Sequence, residues 1–355
     1  MKRRDIDFNS ERIDIDRDIE KLRNEFSRYG SGNYFLPVNN FTSALHLAMC
    51  AIDLKRGDKV ICSVNSSPEI PEIVRHFDAE PILVDVEPKS NRLSIKSLKE
   101  ILSNIKSKKL RAIVISHHGG EILNIEEIAS LVKKRGLSII EDGTESLGFD
   151  RSKIDSISDI RLFSLDTPVS TLSLFVTDNQ SIFQRAELLS NHGIEFDKQS
   201  KLGYIYDVVD IGCQYRASQN EISIGIEKLR KIRNEMERRR EIAKRYIDGL
   251  SSVRGIEVDR FNPNHTYSKF IIRVAKNRDG FAKELKEYGI ETRLHYIPIH
   301  LLSYYKNKYL FRVNSFPNAL RNFQQVLSLP MRPDLSSEDI DHIIATIQFV
   351  AKNRR

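Results

Sequence analysis

The stretch KVICSVNSSPEIPEIVRHFDAEPILVDV (59–86), continued by AIVISHHGGEILNIEEIASLVKKRGLSIIED (112–142), decides the fold. Four short apolar runs stand out in it: KVICSV (59–64), PILVDV (81–86), AIVISH (112–117) and LSIIED (137–142). Runs without polar alternation read as strands covered on both faces. Between them lie IPEIVRHFDAE, SIKSLKEILSNI and NIEEIASLVKKRG, whose apolar residues recur at helical spacing. Strands alternating with helices of this length predict βαβ units and a mainly parallel sheet.

Working outward, TSALHLAMCAIDL, beginning at Thr42, reads as a helix ending before the turn KRGD, and residues 17–28 read as another. DIRLFSL (159–165) and LSLFVTD (172–178) are two further strand candidates, able to pair with each other or to join the sheet. A long helix follows over about 218–250. After GIEVD the pattern changes: KFIIRV (269–274), a helix over 279–288, IETRLHY (290–296) and a last helix over 336–351 suggest a small α/β domain. The expected boundary lies near residue 250, giving a large domain (1–250) and a small one (251–355).

A chain of 355 residues suits such a pair of domains. No apolar run approaches the roughly 20 residues needed to cross a bilayer, and the charged start MKRRDIDFNSERIDIDRD is unlike a signal peptide. No membrane association and a cytoplasmic location are therefore expected. Cys50, Cys62 and Cys213 are widely spaced, form no C-x-x-C pair and read as buried free thiols; neither disulfides nor a metal site is indicated. The net charge of +7 raises the question of nucleic acid. Its basic residues interleave with acids, as in KLRKIRNEMERRREIAKRY (228–246), which reads as a solvated helix face and not a nucleic-acid stripe. A basic patch facing a phosphorylated small molecule fits the same charge.

Ligands of an open parallel sheet bind beyond the carboxyl ends of its strands. Three segments can present groups there. NNFTSA (39–44) opens a helix, so Thr42 and Ser43 offer hydroxyls and N–H groups to an anion, or form an ordinary N-cap. SHHGG (116–120) ends a strand with His117 and His118, which can bind a metal, act as acid or base, underlie a ligand ring, or serve no chemistry at all. In EDGTES (141–146), Asp142 lands at a strand terminus after a buried run. A carboxylate there needs a cation or donors, and a protonated heterocycle nitrogen would serve; helix capping is the alternative.

Taken in order, these segments resemble the DegT-type family of pyridoxal-phosphate-dependent nucleotide-sugar aminotransferases, of the fold type I class. The resemblance runs from about Asp18 to Phe349. NNFTSALHLA looks like the family's N-G-T-A-A-L-H-L-A turn, RGDKVICS like G-D-E-V-I-x-P, and AEPILVDVEP like A-x-P-V-F-V-D-I-D-P. IIEDGTESLG is similar to I-E-D-A-A-Q-A-x-G, SNHG (190–193) to N-H-G, and DIGCQYRAS (210–218) to L-G-Y-N-Y-R-x-S. IETRLHYIPIH and VLSLPMRP resemble the C-terminal G-x-x-H-Y-x-P-x-H and L-S-L-P-x-x-P signatures.

The resemblance implies a large cofactor-type domain, a small C-terminal domain, and a homodimer with sites at the subunit interface. It places Asp142 against the pyridine nitrogen of pyridoxal or pyridoxamine phosphate, which the departures below lead one to expect bound non-covalently, or not at all. Thr42, Ser43 and Ser164 would hold the phosphate, with Gln214 where the family has an Asn reaching it from the other subunit. Tyr215, Arg216, His295 and Tyr296 would lie near a nucleotide-sugar substrate.

The chain also departs from the family. LFSLDTPVSTLSLFVTD (162–178) contains no lysine where the family carries its Schiff-base lysine, and no E-G-G turn follows. Thr167 or a neighbour occupies that position, and the nearest lysine, Lys153, precedes the strand. Transamination needs such an amine. Glu145 replaces a glutamine that faces the cofactor's phenolic oxygen, Phe41 replaces a glycine of the phosphate turn, and the ring that stacks on the pyridine is not evident. Whether the chain is an enzyme therefore hangs on its amine. Three expectations follow: a non-transaminating family member, either binding a nucleotide sugar or partnering an active paralogue; a lysine-independent dehydratase-type enzyme with His117, His118 or His192 as base; or a genuine sugar aminotransferase.

Overall fold

The structure is a computed structural model that describes residues 10–354 apart from 106, 152–153 and 198–203, so Lys153 lies outside the described residues. The chain divides into two compact units, Met1–Asp53 with Asp150–Ile232, and Leu54–Phe149 with Arg233–Arg355.

In the first unit, β1 (Tyr34–Val38) runs antiparallel to β7 (Ser173–Thr177), which runs antiparallel to β6 (Ile160–Ser164). The two strand candidates around 159–178 thus pair with each other. Helices α1 (Ser10–Phe26), α2 (Phe41–Ala51) and α6 (Gln180–Leu189) accompany them. Phe26 packs edge-on against Phe163 at 5.0 Å and against Phe35 at 5.6 Å, and Leu22 and Phe175 of the same unit are buried too. A separate hairpin, β8 (Ile194–Phe196) and β9 (Tyr206–Val208), is exposed along most of its length.

The second unit holds the four strands that opened the sequence reading. They are β2 (Lys59–Ser63), β3 (Glu80–Val84), β4 (Leu110–Ser116) and β5 (Ser138–Asp142), all mutually parallel in the order β5-β4-β2-β3. The chain is α/β and this sheet is parallel, as its unbroken apolar strands require. Helices α3 (Glu69–His76), α4 (Ile95–Asn104) and α5 (Ile125–Val132) form the crossovers, and Ser94 and Asn124 cap the last two through their side chains.

The long helix α7 (Gln219–Leu250) carries the basic run 228–246. On its exposed side charges pair along the helix, Arg230 with Glu227 and Arg238 with Glu241, as the interleaving leads one to expect, whereas Arg239 and its partner Glu235 are largely enclosed. Beyond it, β10 (Ile256–Glu257), β11 (Phe270–Val274) and β12 (Val326–Leu329) form an antiparallel three-stranded sheet. Helices α8 (Arg278–Glu287), α9 (Ser303–Tyr309), α10 (Pro317–Gln325) and α11 (Ser337–Asn353) complete this part. Tyr246, Phe270, Ile272, Phe281 and Ile347 belong to one core cluster, which also takes in Ile242, Ala243 and Leu250 of α7. IETRLHY is not a strand; Arg293 makes a lone bridge to Ser328. Cys62 is buried and Cys50 partly so, but Cys213 is exposed, contrary to expectation, because it follows the exposed hairpin and not a core strand.

Candidate active site

β5 delivers Asp142 to its carboxyl end. Burial pushes the Asp142 carboxyl above the usual carboxylate range, while bonds from Thr144 and Ser116 pull it back. The Thr144 N–H donates to Asp142 Oδ1 at 3.1 Å. The residue before it is structural: Glu141 is fully buried and accepts from His117 Nε2 at 2.8 Å. His117 Nδ1 accepts from the Leu123 N–H at 3.1 Å. Both ring nitrogens of His117 are thereby engaged, so the histidine considered as a base serves instead to pin the loop after β4.

The next residue, His118, begins a short 3-10 turn. Burial, then the charge of Lys269, hold its imidazole well below the ordinary histidine range, so it is neutral. Its ring lies 6.0 Å from that of Tyr296, edge to face. Gly120, at φ +97°, lets the chain pass close: a Cβ there would collide with Thr266 Oγ1.

His295 and Tyr296 fall beside this turn. Their backbone is held by two asparagines that sequence reasoning did not single out. The Tyr296 N–H donates to Asn65 Oδ1 at 3.2 Å, and Asn91 Nδ2 donates to the His295 carbonyl at 3.4 Å. His295 Nδ1 lies 2.8 Å from Ser328 Oγ, and burial lowers its imidazole to about 4. Burial pushes the Tyr296 phenol up to about 12, keeping it a proton donor.

Lys269 is the functional candidate missed by the sequence reading. It immediately precedes β11, and its ammonium pairs with the Glu145 carboxylate, with side chains 13% and 20% exposed. Glu145 also accepts from the Gly119 N–H. The carboxylate that stands in place of a glutamine at position 145 is therefore balanced by a cation. Lys269 Nζ lies 4.9 Å from the Tyr296 ring centroid and 3.3 Å from its hydroxyl. Burial holds the amine down to about 8, against the field of Asp142, which raises it. The alternation of KFIIRV held the signal. Phe270, Ile272 and Val274 are core, which leaves Lys269, Ile271 and Arg273 on the other face.

A cavity of about 380 Å³ opens beside this cluster, lined among others by His118, Lys269, Arg92, Arg260, His265 and Tyr267. Among the described residues there is no group of three or more His, Cys, Asp or Glu side chains able to hold a metal. Nor, among them, is any helix long and apolar enough to cross a membrane.

The remaining predicted residues belong to the first unit and are described there. Thr42 and Ser43 are in the first turn of α2, where Asn40 Oδ1 accepts from the Ser43 N–H at 2.8 Å. Phe41, the first residue of α2, is buried. Ser164 ends β6 and donates to Asp166 Oδ1 at 2.5 Å. Thr167 lies in a tight turn, its N–H bonded to the Ser170 carbonyl at 2.8 Å. Gln214 bridges Asn191, Arg216 bridges Val38, and the Tyr215 carbonyl accepts from the Asn39 N–H at 2.9 Å. His192 is exposed with φ 59°, its N–H bonded to the Cys213 carbonyl.

Solved structures share this α/β fold over almost the entire chain. Spr1654 of Streptococcus pneumoniae in its PMP form superposes with a TM-score of 0.86 at 22% identity, covering 98% of each chain. The Helicobacter pylori aminotransferase PseC, involved in pseudoaminic acid biosynthesis, gives 0.83 at 17%, covering 96% of this chain and 91% of its own. The chain belongs to the DegT/DnrJ/EryC1/StrS aminotransferase family, whose pattern it matches over residues 8–348. Among curated relatives, the spore coat polysaccharide biosynthesis protein SpsC of Bacillus subtilis is 26% identical over 94% of this chain and 90% of its own. The uncharacterized protein MJ1066 of Methanocaldococcus jannaschii is 28% identical over the same shares.

Proposed function

We propose that this chain binds pyridoxal or pyridoxamine phosphate and a nucleotide sugar, as a sugar aminotransferase-like enzyme of surface-polysaccharide synthesis. The carrying observation is Asp142, a desolvated carboxylate at a strand end with donors that favour its ionised form. Such a group fits the protonated nitrogen of a pyridine ring. Spr1654 has been solved in both PMP and PLP forms, and SpsC takes its name from polysaccharide biosynthesis, which supports the reading.

When bound, the cofactor supplies an electron sink for charge developing at a substrate carbon. Asp142 would keep the ring nitrogen protonated, and Glu145 with Lys269 would face the phenolic side. Neutral His118 suits a proton acceptor and Tyr296 a donor to a sugar oxygen. Arg92 and Arg260 at the 380 Å³ cavity suit a diphosphate. In the first unit, Thr42, Ser43, Ser164 and Gln214 would serve the cofactor phosphate. The test is retention: desalted protein should carry pyridoxal or pyridoxamine phosphate, visible by absorbance and mass. It should also convert a 4-keto-6-deoxy nucleotide sugar. Retention of neither cofactor would sink the reading.

A second reading, a non-transaminating partner of an active paralogue, draws on the first unit alone. Ser164 is already committed to the Asp166 carboxylate, and Phe41 stands where the family has glycine. On that reading the nucleotide sugar binds and the cofactor does not.

The same unit exposes apolar side chains around its hairpin, including Ile211 at 90% and Tyr204 at 66%. Monomers seldom leave such a group uncovered, and a second copy of this chain is the proposed cover. Light scattering should show a dimer for the natural protein and a monomer for Ile211→Asp. A monomeric natural protein would refute the assignment.

A further inference from the structure

We propose that Lys269 is the reactive amine of this protein, forming an imine with the aldehyde of a pyridoxal-type ligand from the position just before β11, far from the segment 162–178 where the family carries its lysine. The inference rests on the cofactor reading above and adds the covalent site to it.

Four features of the second unit converge on Lys269. Its ammonium is nearly enclosed yet lines two cavities, of about 380 and 630 Å³, so a ligand can reach it. It pairs with Glu145, which can accept its proton. Tyr296 sets a ring and a hydroxyl beside Nζ. Asp142, the carboxylate suited to a ring nitrogen, is close enough to act on its charge.

A purely structural role is the competing explanation, and the contacts around it make that role redundant. The Thr266 N–H already donates to the Gly120 carbonyl at 3.1 Å, and the Lys269 N–H to the Gly119 carbonyl at 3.3 Å. Thr266 Oγ1 donates to the Glu145 carbonyl at 2.6 Å. The backbone thus ties this segment to 119–145 without help from the lysine side chain. An enclosed ion pair is also weak evidence for stabilisation, since desolvation offsets its attraction. Desolvation has a further consequence, because an amine held at about 8 is roughly one-tenth neutral at pH 7.

The step balances without any oxidant. Lys269 gives its proton to Glu145, and neutral Nζ adds to the aldehyde carbon. The carbonyl oxygen becomes a hydroxyl, takes protons from its surroundings and leaves as water while the C=N bond forms. The amine contributes two hydrogens to that water, and nothing is oxidised or reduced.

The test uses the full chain with two probes, pyridoxal phosphate and pyridoxine phosphate, the second having an alcohol in place of the aldehyde. Each sample is reduced with borohydride and its peptides are mapped by mass. The expected result is a pyridoxyl group on the Lys269 peptide with the first probe only. Lys269→Ala and Lys269→Arg should each lose at least about tenfold of that label. Pyridoxine phosphate binding by the natural protein is followed by quenching of tyrosine fluorescence, and both variants should keep its far-ultraviolet circular dichroism, which shows that they fold. Binding of pyridoxine phosphate with label absent, or spread over other lysines and unchanged in Lys269→Ala, overturns the assignment while leaving the cofactor reading standing. Binding of neither probe by the natural protein overturns both.

Discussion

Asp142→Asn protein is expected to hold pyridoxal or pyridoxamine phosphate at least about tenfold, and up to about 10³-fold, more weakly than the natural chain. The range follows from the 1–3 pKa units that an adjacent opposite charge is worth, each unit being about 1.4 kcal/mol. Asparagine keeps the shape and can still accept from the Thr144 N–H, so the change removes charge and little else. The sign of the pH dependence is fixed by burial. Because burial lifts the Asp142 carboxyl, it takes up its proton earlier on acidification than an exposed aspartate would. A cationic ring needs the ionised form, so affinity should rise with pH through that raised value and fall below it. In Asp142→Asn this acid limb should vanish. Equilibrium titrations of both proteins across the acid range check it, and an unchanged limb would show that another group holds the ring nitrogen.

Asp142 was legible because a strand covered on both faces reads as an unbroken apolar run, and of the two acids that follow SII it is the one that closes the strand. The same logic found β2 to β5. It passed over β1, whose YFLPV carries a proline and is too short to show a period. It also passed over β12, whose VLSL was read only as a signature. Long-range pairing was the larger blind spot. Lys269 and Glu145 lie 124 residues apart, and nothing local to either says that they meet. Family resemblance points to an amine only within 162–178, where the family's lysine is carried. The alternation of 269–274 shows which residues leave the core face of β11, but not what that face meets. Asn65 and Asn91 were hidden for a related reason, since they act on the backbone of residues more than two hundred positions away. Roles read from a strand's own end survive in one sequence, whereas roles made by two distant loops do not.

The histidine reading shows how burial separates chemistry from architecture, and it yields the largest stability effect. His117→Ala is expected to destabilise the protein by about 3–5 kcal/mol, the usual penalty for removing one partner of a fully buried polar pair. The loss has two parts. Glu141, at 0% exposure, would lose the donor at 2.8 Å, and the Leu123 N–H would lose its acceptor. Glu141→Gln should cost far less, because the amide oxygen can still accept from Nε2. If the pair's worth is mainly the avoidance of an orphan, His117→Leu combined with Glu141→Leu should recover a large part of the loss. Urea unfolding of the three variants decides between the roles. A His117→Ala protein as stable as the natural one, but inactive, would return His117 to the chemistry. A destabilised protein whose pyridoxine phosphate affinity is unchanged below its unfolding transition places it in the scaffold, holding the loop that presents His118 and Gly119 to Lys269 and Glu145.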